Sequence, residues 1–224
     1  SDSNPVDRTE KFMFDGERLI QHIIKQRYFE EEISNEVNLS YSDNQVTVTT
    51  DYPTLVYTLN SEGYASQCVY SLSSQNRIYQ FSYSAEGYLT GIVENIDDTE
   101  YSSTSLTYEN GDITSISSKM NGLENKFIYE PGEESSTYHL PCLGLLEIHP
   151  LTFHIEALYA GLLGKDPRHF TIRSCPAGSN DEKTVYSYGF DKKGNPSRMI
   201  CQTTYAGGQA SYYPYTRNIS VSFE

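Results

Sequence analysis

Five side chains of metal-binding type, His139, Cys142, His149, His154 and Cys175, fall within one stretch of the chain. Zinc and related ions are held by such groups, and paired ligands on a helix use i, i+4 spacing so that both project from one face. His149 and His154 are five apart, which is about 140° around a helix of 3.6 residues per turn. No Cys-x-x-Cys pair accompanies them. The expectation is therefore no metal and no other cofactor, the histidines serving as loop and cap residues. The four cysteines, Cys68, Cys142, Cys175 and Cys201, allow three disulfide pairings, and a set of reduced, buried thiols stands beside those pairings.

Thirty acidic residues offer carboxylates for hydrolysis, and Glu30-Glu31-Glu32, Asp97-Asp98 and Glu133-Glu134 are contiguous runs. Glycoside hydrolysis needs two carboxyls facing each other from separate elements, whereas neighbours along a strand point to opposite faces. These runs read as solvated turn and edge charges. A Gly-x-Ser-x-Gly elbow, a phosphate loop, a dinucleotide fingerprint and an Asp-x-Asp-x-Asp-Gly calcium loop are all missing from the sequence. No catalytic or binding residue is nominated. The remaining signal is tyrosine: Tyr64, Tyr70, Tyr79, Tyr83 and Tyr88 in the first half, with Tyr205, Tyr212, Tyr213 and Tyr215 near the C-terminus. Such arrays stack on sugars or meet protein partners, but each ring taken singly is expected to pack across strands.

The elements that must carry these residues show as a repeat. Tyr57–Cys68 aligns with Phe81–Ile92 and, one turn residue shorter, with Leu106–Ile116; the glycines Gly63, Gly87 and Gly111 recur every 24 residues. Glycine supplies the positive φ that hairpin turns demand, so each repeat reads as one hairpin. Weaker copies at Phe12–Gly16, Leu39–Asn44 and Tyr188–Gly194 spread the pattern over the chain. Residues such as Ile113 and Ile116 are three apart, and a bulge just after each turn is expected to bring both to one face. From Pro150 to Gly164 the spacing of Leu151, Ile155, Leu158 and Leu162 becomes helical, predicting one short α-helix over about residues 150–163 that covers the sheet. The fold expected is all-β: an antiparallel up-and-down meander curved into an open or partly closed half-barrel around that helix. Residues 1–224 form a single domain, of which 1–8 are a flexible tail.

Sixteen basic against thirty acidic residues give a net charge of −14, which repels phosphate backbones and makes nucleic acid an unsuitable partner. No apolar run approaches the ~20 residues of a spanning helix, and the first residues lack the basic and apolar regions of a signal peptide.

The hairpin around Phe81–Thr90 resembles the YD-type repeat of Rhs-like shell proteins, with Ser84 in place of its Asp and Tyr88 in place of its Arg; Asp191 after Phe190 restores the Asp. With the helix ending Tyr159-Ala160-Gly161-Leu162-Leu163-Gly164-Lys165, the whole chain resembles the secreted gut-bacterial lipoproteins of domain-of-unknown-function family 4595. The resemblance implies a porin-like fold, a lipid anchor upstream of residue 1, and an extracytoplasmic place in the bacterial cell envelope. It brings no catalytic residues. Ser, Thr, Gln and Glu on the second face of the strands speak against a membrane-embedded wall. The function expected is a non-catalytic, monomeric binding or scaffolding lipoprotein with a glycan or protein partner. The alternative is a hydrolase acting on glycans or peptides with acids in a cleft beside the helix.

Overall fold

The computed structural model describes residues 7–28, 31–50, 54–72, 75–135, 148–179, 181–210 and 215–223. The chain runs through β1 (Asp7–Asp15), β2 (Arg18–Tyr28), β3 (Glu31–Ser42), β4 (Gln45–Thr49) and β5 (Thr54–Leu59). Next come β6 (Ala65–Leu72), β7 (Gln75–Tyr83), β8 (Leu89–Ile96), β9 (Thr99–Glu109) and β10 (Asp112–Met120). The last five are β11 (Leu123–Pro131), β12 (Thr171–Pro176), β13 (Lys183–Phe190), β14 (Pro196–Thr204) and β15 (Tyr215–Phe223). Each strand pairs with the next, and β15 pairs with β1 to close a barrel of 15 strands.

Closure corrects the half-barrel expectation. The repeat reports only neighbour-to-neighbour pairing, whereas closure joins Arg8 to Arg217 and Met13 to Ser222, from opposite ends of the chain. Every other pairing is antiparallel, so with an odd strand count the first and last strands run the same way. The closing pair is accordingly parallel.

Hairpin tips at Gly63, Gly87, Gly111 and Gly194, all with positive φ, connect odd to even strands and so share one rim, here called the glycine rim. The expected bulge is present. The register slips at Ser66, Thr90 and Thr114, so Ala65 with Cys68, Leu89 with Ile92, and Ile113 with Ile116 all turn inward and are buried. Each bulged hydroxyl donates to a carbonyl of the preceding strand: Ser66 to Thr58, Thr90 to Ser82 and Thr114 to Thr107 at 3.1, 3.1 and 3.2 Å. The same slip in β1–β2 buries Leu19 and His22. His22 thus occupies a position that the repeat elsewhere fills with an apolar residue.

The connection from β11 to β12 enters from the glycine rim and plugs the lumen. Its helical part is shorter than expected and broken: a 3-10 turn spans Leu151–Phe153, His154 lies outside helical geometry, and α1 covers Ile155–Tyr159. Gly161, at φ +70°, ends it. The apolar spacing arose from seating inside a closed lumen, not from one face laid on an open sheet, and Thr152 and Phe153 stay exposed. Leu151, Ala157, Leu158, Tyr159 and Leu162 are all buried. The chain then runs along the glycine rim, where Leu162 O accepts from Ala65 N, Gly87 O from Lys165 N and Gly111 O from Arg168 N at 2.7, 2.8 and 3.0 Å. A Cβ at Gly164 would lie 2.6 Å from Gly87 O, in a backbone of φ +88°. Gly164→Ala is expected to cost about 1–3 kcal/mol in urea unfolding, since the strain falls on backbone that cannot move aside.

The outer wall is largely polar. Ser34, Glu36, Asn38 and Ser40 of β3 are exposed while Val37 and Leu39 point inward. On β4, Thr47 and Thr49 alternate with buried Val46 and Val48.

Candidate functional site

Two charged clusters lie inside the lumen, where a barrel core is normally apolar. The first forms where the barrel closes. Glu10 of β1 is fully buried and accepts from Arg217 of β15 at 2.8 Å on one oxygen and from Arg8 at 2.8 Å on the other. Arg217 also donates to Tyr159 Oη at 3.1 Å. His22 stacks on Phe12 at 4.4 Å, and its Nδ1 lies 2.9 Å from Glu156 of α1. Its Nε2 lies 3.3 Å from Glu10, within ion-pairing range but outside hydrogen-bond alignment. Burial by itself would raise the Glu10 carboxyl, yet Arg217, His22 and Arg8 hold it well below the carboxylate range. For His22, burial opposes the charged ring most strongly, but Glu10 and Glu156 override it and the net shift is upward.

The second cluster centres on Glu94 of β8, also fully buried. One oxygen accepts from Arg77 at 3.0 Å and Tyr79 Oη at 3.1 Å; the other accepts from Ser102 at 2.7 Å and lies 2.7 Å from His149 Nε2. Burial raises Glu94, but the bonds from His149, Ser102 and Tyr79 prevail and lower it. Ser102, His149 and Glu94 have the composition of a catalytic triad but not its wiring. A triad uses the two imidazole nitrogens separately, one for the acid and one for the hydroxyl. Here Nε2 meets both, so the ring cannot relay a proton between them.

His154 lies deeper still. Its Nδ1 is 2.8 Å from Tyr57 Oη, the ring edges Tyr79 at 4.4 Å, and burial pushes its pKa down to about 3. The neutral ring and the cationic His22 give opposite pH dependences. Below its free value of 6.5, His154 is protonated only in the unfolded chain, so stability falls as pH drops. Above 6.5, His22 keeps a proton only in the fold, so stability falls as pH rises through its elevated native pKa. Glu10 and Glu94 add to the acid loss below their free value of 4.5. Urea unfolding is expected to show maximal stability near pH 6.5, with His22→Leu flattening the alkaline limb and His154→Phe the acid limb.

Residues singled out from the sequence disperse. His149 bonds Glu94 while His154 turns to Tyr57, and no group of three or more metal-binding side chains occurs among the described residues. Cys68 and Cys175 are free thiols, Cys68 buried and Cys175 partly exposed, and Cys201 is buried. His139, Cys142, Glu30, Tyr212 and Tyr213 lie outside the described residues. Asp97, Asp98, Glu31, Glu32, Glu133 and Glu134 are exposed. Tyr79 is buried, Tyr64 packs on Tyr83 and Tyr88 on Tyr108, while Tyr205 is exposed. Glu10, Glu94 and Arg217 were missed. The available signal was alternation: Glu94 sits between Ile92 and Ile96, and Glu10 precedes Phe12, each a charge at an inward position.

Beside the plug the lumen holds a cavity of about 250 Å³ between β10, β11, β12 and β13. Ile116, Tyr129 and Tyr186 form its buried floor; Met120 and Asn125 are exposed at its mouth, on the rim opposite the glycines. A second space of about 140 Å³ shares Phe127, Ser174 and Thr184 with it. The two meet where the wall is thinnest, because β12 and β13 pair only at Arg173–Val185 and Ser174–Thr184. Toward the mouth these strands part, and Pro176 has no N–H with which to bridge them.

A closed barrel plugged by its own connection defines a porin-like fold with an occupied lumen. The chain belongs to the family described as a domain of unknown function (DUF4595) with porin-like fold, whose model matches residues 14–198. A porin-like protein from Bacteroides uniformis is 27% identical with TM-score 0.78, over 89% of this chain and 84% of that one. A porin-like protein from Bacteroides vulgatus shares the fold at 10% identity and TM-score 0.59, over 87% of this chain and 95% of the other. No curated protein matches. No helix among the described residues is long and apolar enough to cross a membrane.

Proposed function

We propose that this chain is a non-catalytic, lipid-anchored protein of the bacterial cell envelope whose barrel stands in water and binds a ligand in the residual lumen. The observation that carries this reading is the cavity between plug and wall, rimmed by aromatic and hydroxyl side chains with no carboxylate among its described lining residues. A glycoside hydrolase would require one carboxyl of raised pKa facing that space. The two fully buried glutamates are instead shifted downward by their cationic and hydrogen-bonding partners. The polar outer positions and a mean hydropathy of −0.55 support a wall that meets water.

Planar-bilayer recording tests the membrane side of this reading. The purified chain is expected to stay in solution without detergent and to produce no conductance steps. Stable insertion with discrete steps would show a lipid-facing pore and remove the proposal.

A further inference from the structure

Resting on that reading, we infer that the cavity takes a neutral, hydroxylated six-membered ring, a sugar pyranoside, bound end-on with its substituent leaving through the gap between β12 and β13.

Size sets the first limit. Small-molecule sites run from about 300 to 1,000 Å³, and the deeper space, at about 250 Å³, suits one ring. Charge sets the second. Among the described residues no Asp, Glu, Lys or Arg lines the deeper space, and its one titratable cation former, His149, already faces Glu94. A charged ligand would be buried without a counter-ion, which is strongly unfavourable.

The lining then distinguishes a hydroxylated ring from an oily one. Phe127 and Tyr129 are alternate residues of β11 and project from the same face, giving a flat apolar wall suited to the C–H face of a sugar. Around that wall, Ser118, Asn125, Ser174 and Thr184 offer donors and acceptors at its edge. Ser118, Ser174 and Thr184 already bond His149 O, Tyr186 and Thr203, so their remaining lone pairs and the Asn125 amide are what a hydroxylated ring would engage and an aliphatic one would leave unused. The closed floor admits only the end of a longer molecule. The neighbouring space supplies the exit, and there Glu182 and Lys183 meet the solvent side, so charge is tolerated outside the ring site and not within it.

Saturation-transfer NMR and calorimetry would test this with four probes: the methyl pyranosides of the common neutral hexoses, their phenyl counterparts, methyl glucuronide, and cyclohexylmethanol. At least one neutral pyranoside is expected to bind at least ~10-fold more tightly than glucuronide or cyclohexylmethanol, the size of a single lost polar or charge interaction. The phenyl form is expected to bind at least as well as the methyl form, because its substituent has a path outward. Thr184→Trp, which fills the junction of the two spaces, is expected to abolish binding. Asn125→Ala, at the exposed mouth, is expected to weaken it without altering the unfolding midpoint. If cyclohexylmethanol binds best and Thr184→Trp removes it, the cavity reading stands and the sugar assignment is overturned. Glucuronide binding best would overturn the assignment in the same way. Binding indifferent to both substitutions, or no binding by any probe, overturns the site itself. The conductance result bears on neither outcome.

Discussion

Arg217→Met is expected to destabilise the barrel by about 3–5 kcal/mol, the cost of leaving one member of a buried ion pair without its partner. Glu10 is fully buried and Arg217 only 3% exposed, so water cannot take over when the guanidinium is removed. Arg8 still holds one carboxylate oxygen, which places the loss toward the lower end of that range. The effect should also be local to closure, because Glu10 and Arg217 come from β1 and β15, the one parallel pairing among the described residues. Hydrogen exchange at β1 and β15 should accelerate more than at β6–β9. Glu10→Gln combined with Arg217→Met should recover most of the stability, since the charge and its counter-charge then vanish together. If the single variant unfolds in urea like the parent, the ion pair contributes nothing to closure.

Tyr159→Ala is expected to cost a similar 3–5 kcal/mol, the range for removing a large aromatic from a packed core. Tyr159 is fully buried on α1, meets Phe12 edge-on at 4.6 Å and accepts from Arg217. It is the side chain by which the plug grips the closing seam. Tyr159→Phe keeps the ring and loses only the hydroxyl, so about 1 kcal/mol is expected. The difference between the variants separates packing from hydrogen bonding. Amide exchange across Ile155–Leu162 should rise in Tyr159→Ala and remain near parental values in Tyr159→Phe. Equal exchange in both would mean that the rim bonds at Gly87 and Gly111 hold the plug without help from its core contact.

The hairpin repeat was legible because it is written in local terms. A glycine or asparagine at a turn, a small hydroxyl residue at the bulge and apolar residues one position before and two after it all act within one hairpin. Asn60, Ser84 and Asp191 likewise each accept from backbone N–H groups two and four residues ahead, so the tip chemistry is local as well. The plug was legible only as a helical apolar spacing. Its shorter, broken form follows from seating inside a closed lumen, which one-dimensional periodicity does not distinguish from burial against an open sheet.

The candidate site was much less legible. Glu10 and Arg217 are 207 residues apart, and His22 meets Glu156 across 134. A charge at an inward position can be flagged from alternation, but its partner cannot be named until the barrel closes. The cavity is further removed, since it exists only because the plug leaves one sector of the lumen unfilled and β12 and β13 pair over two residues.

Local chemistry by itself therefore determined the class: an all-β chain of consecutive antiparallel hairpins, bulged after the glycine-bearing turns of one rim, with a polar outer face. Tertiary structure decided closure into 15 strands, the parallel seam, the seating of the plug and the choice of polar partners. The physical reason is range. Turn, bulge and pleat preferences act over a few residues, whereas closure and burial balance the free energies of groups that meet only when the whole chain is in place.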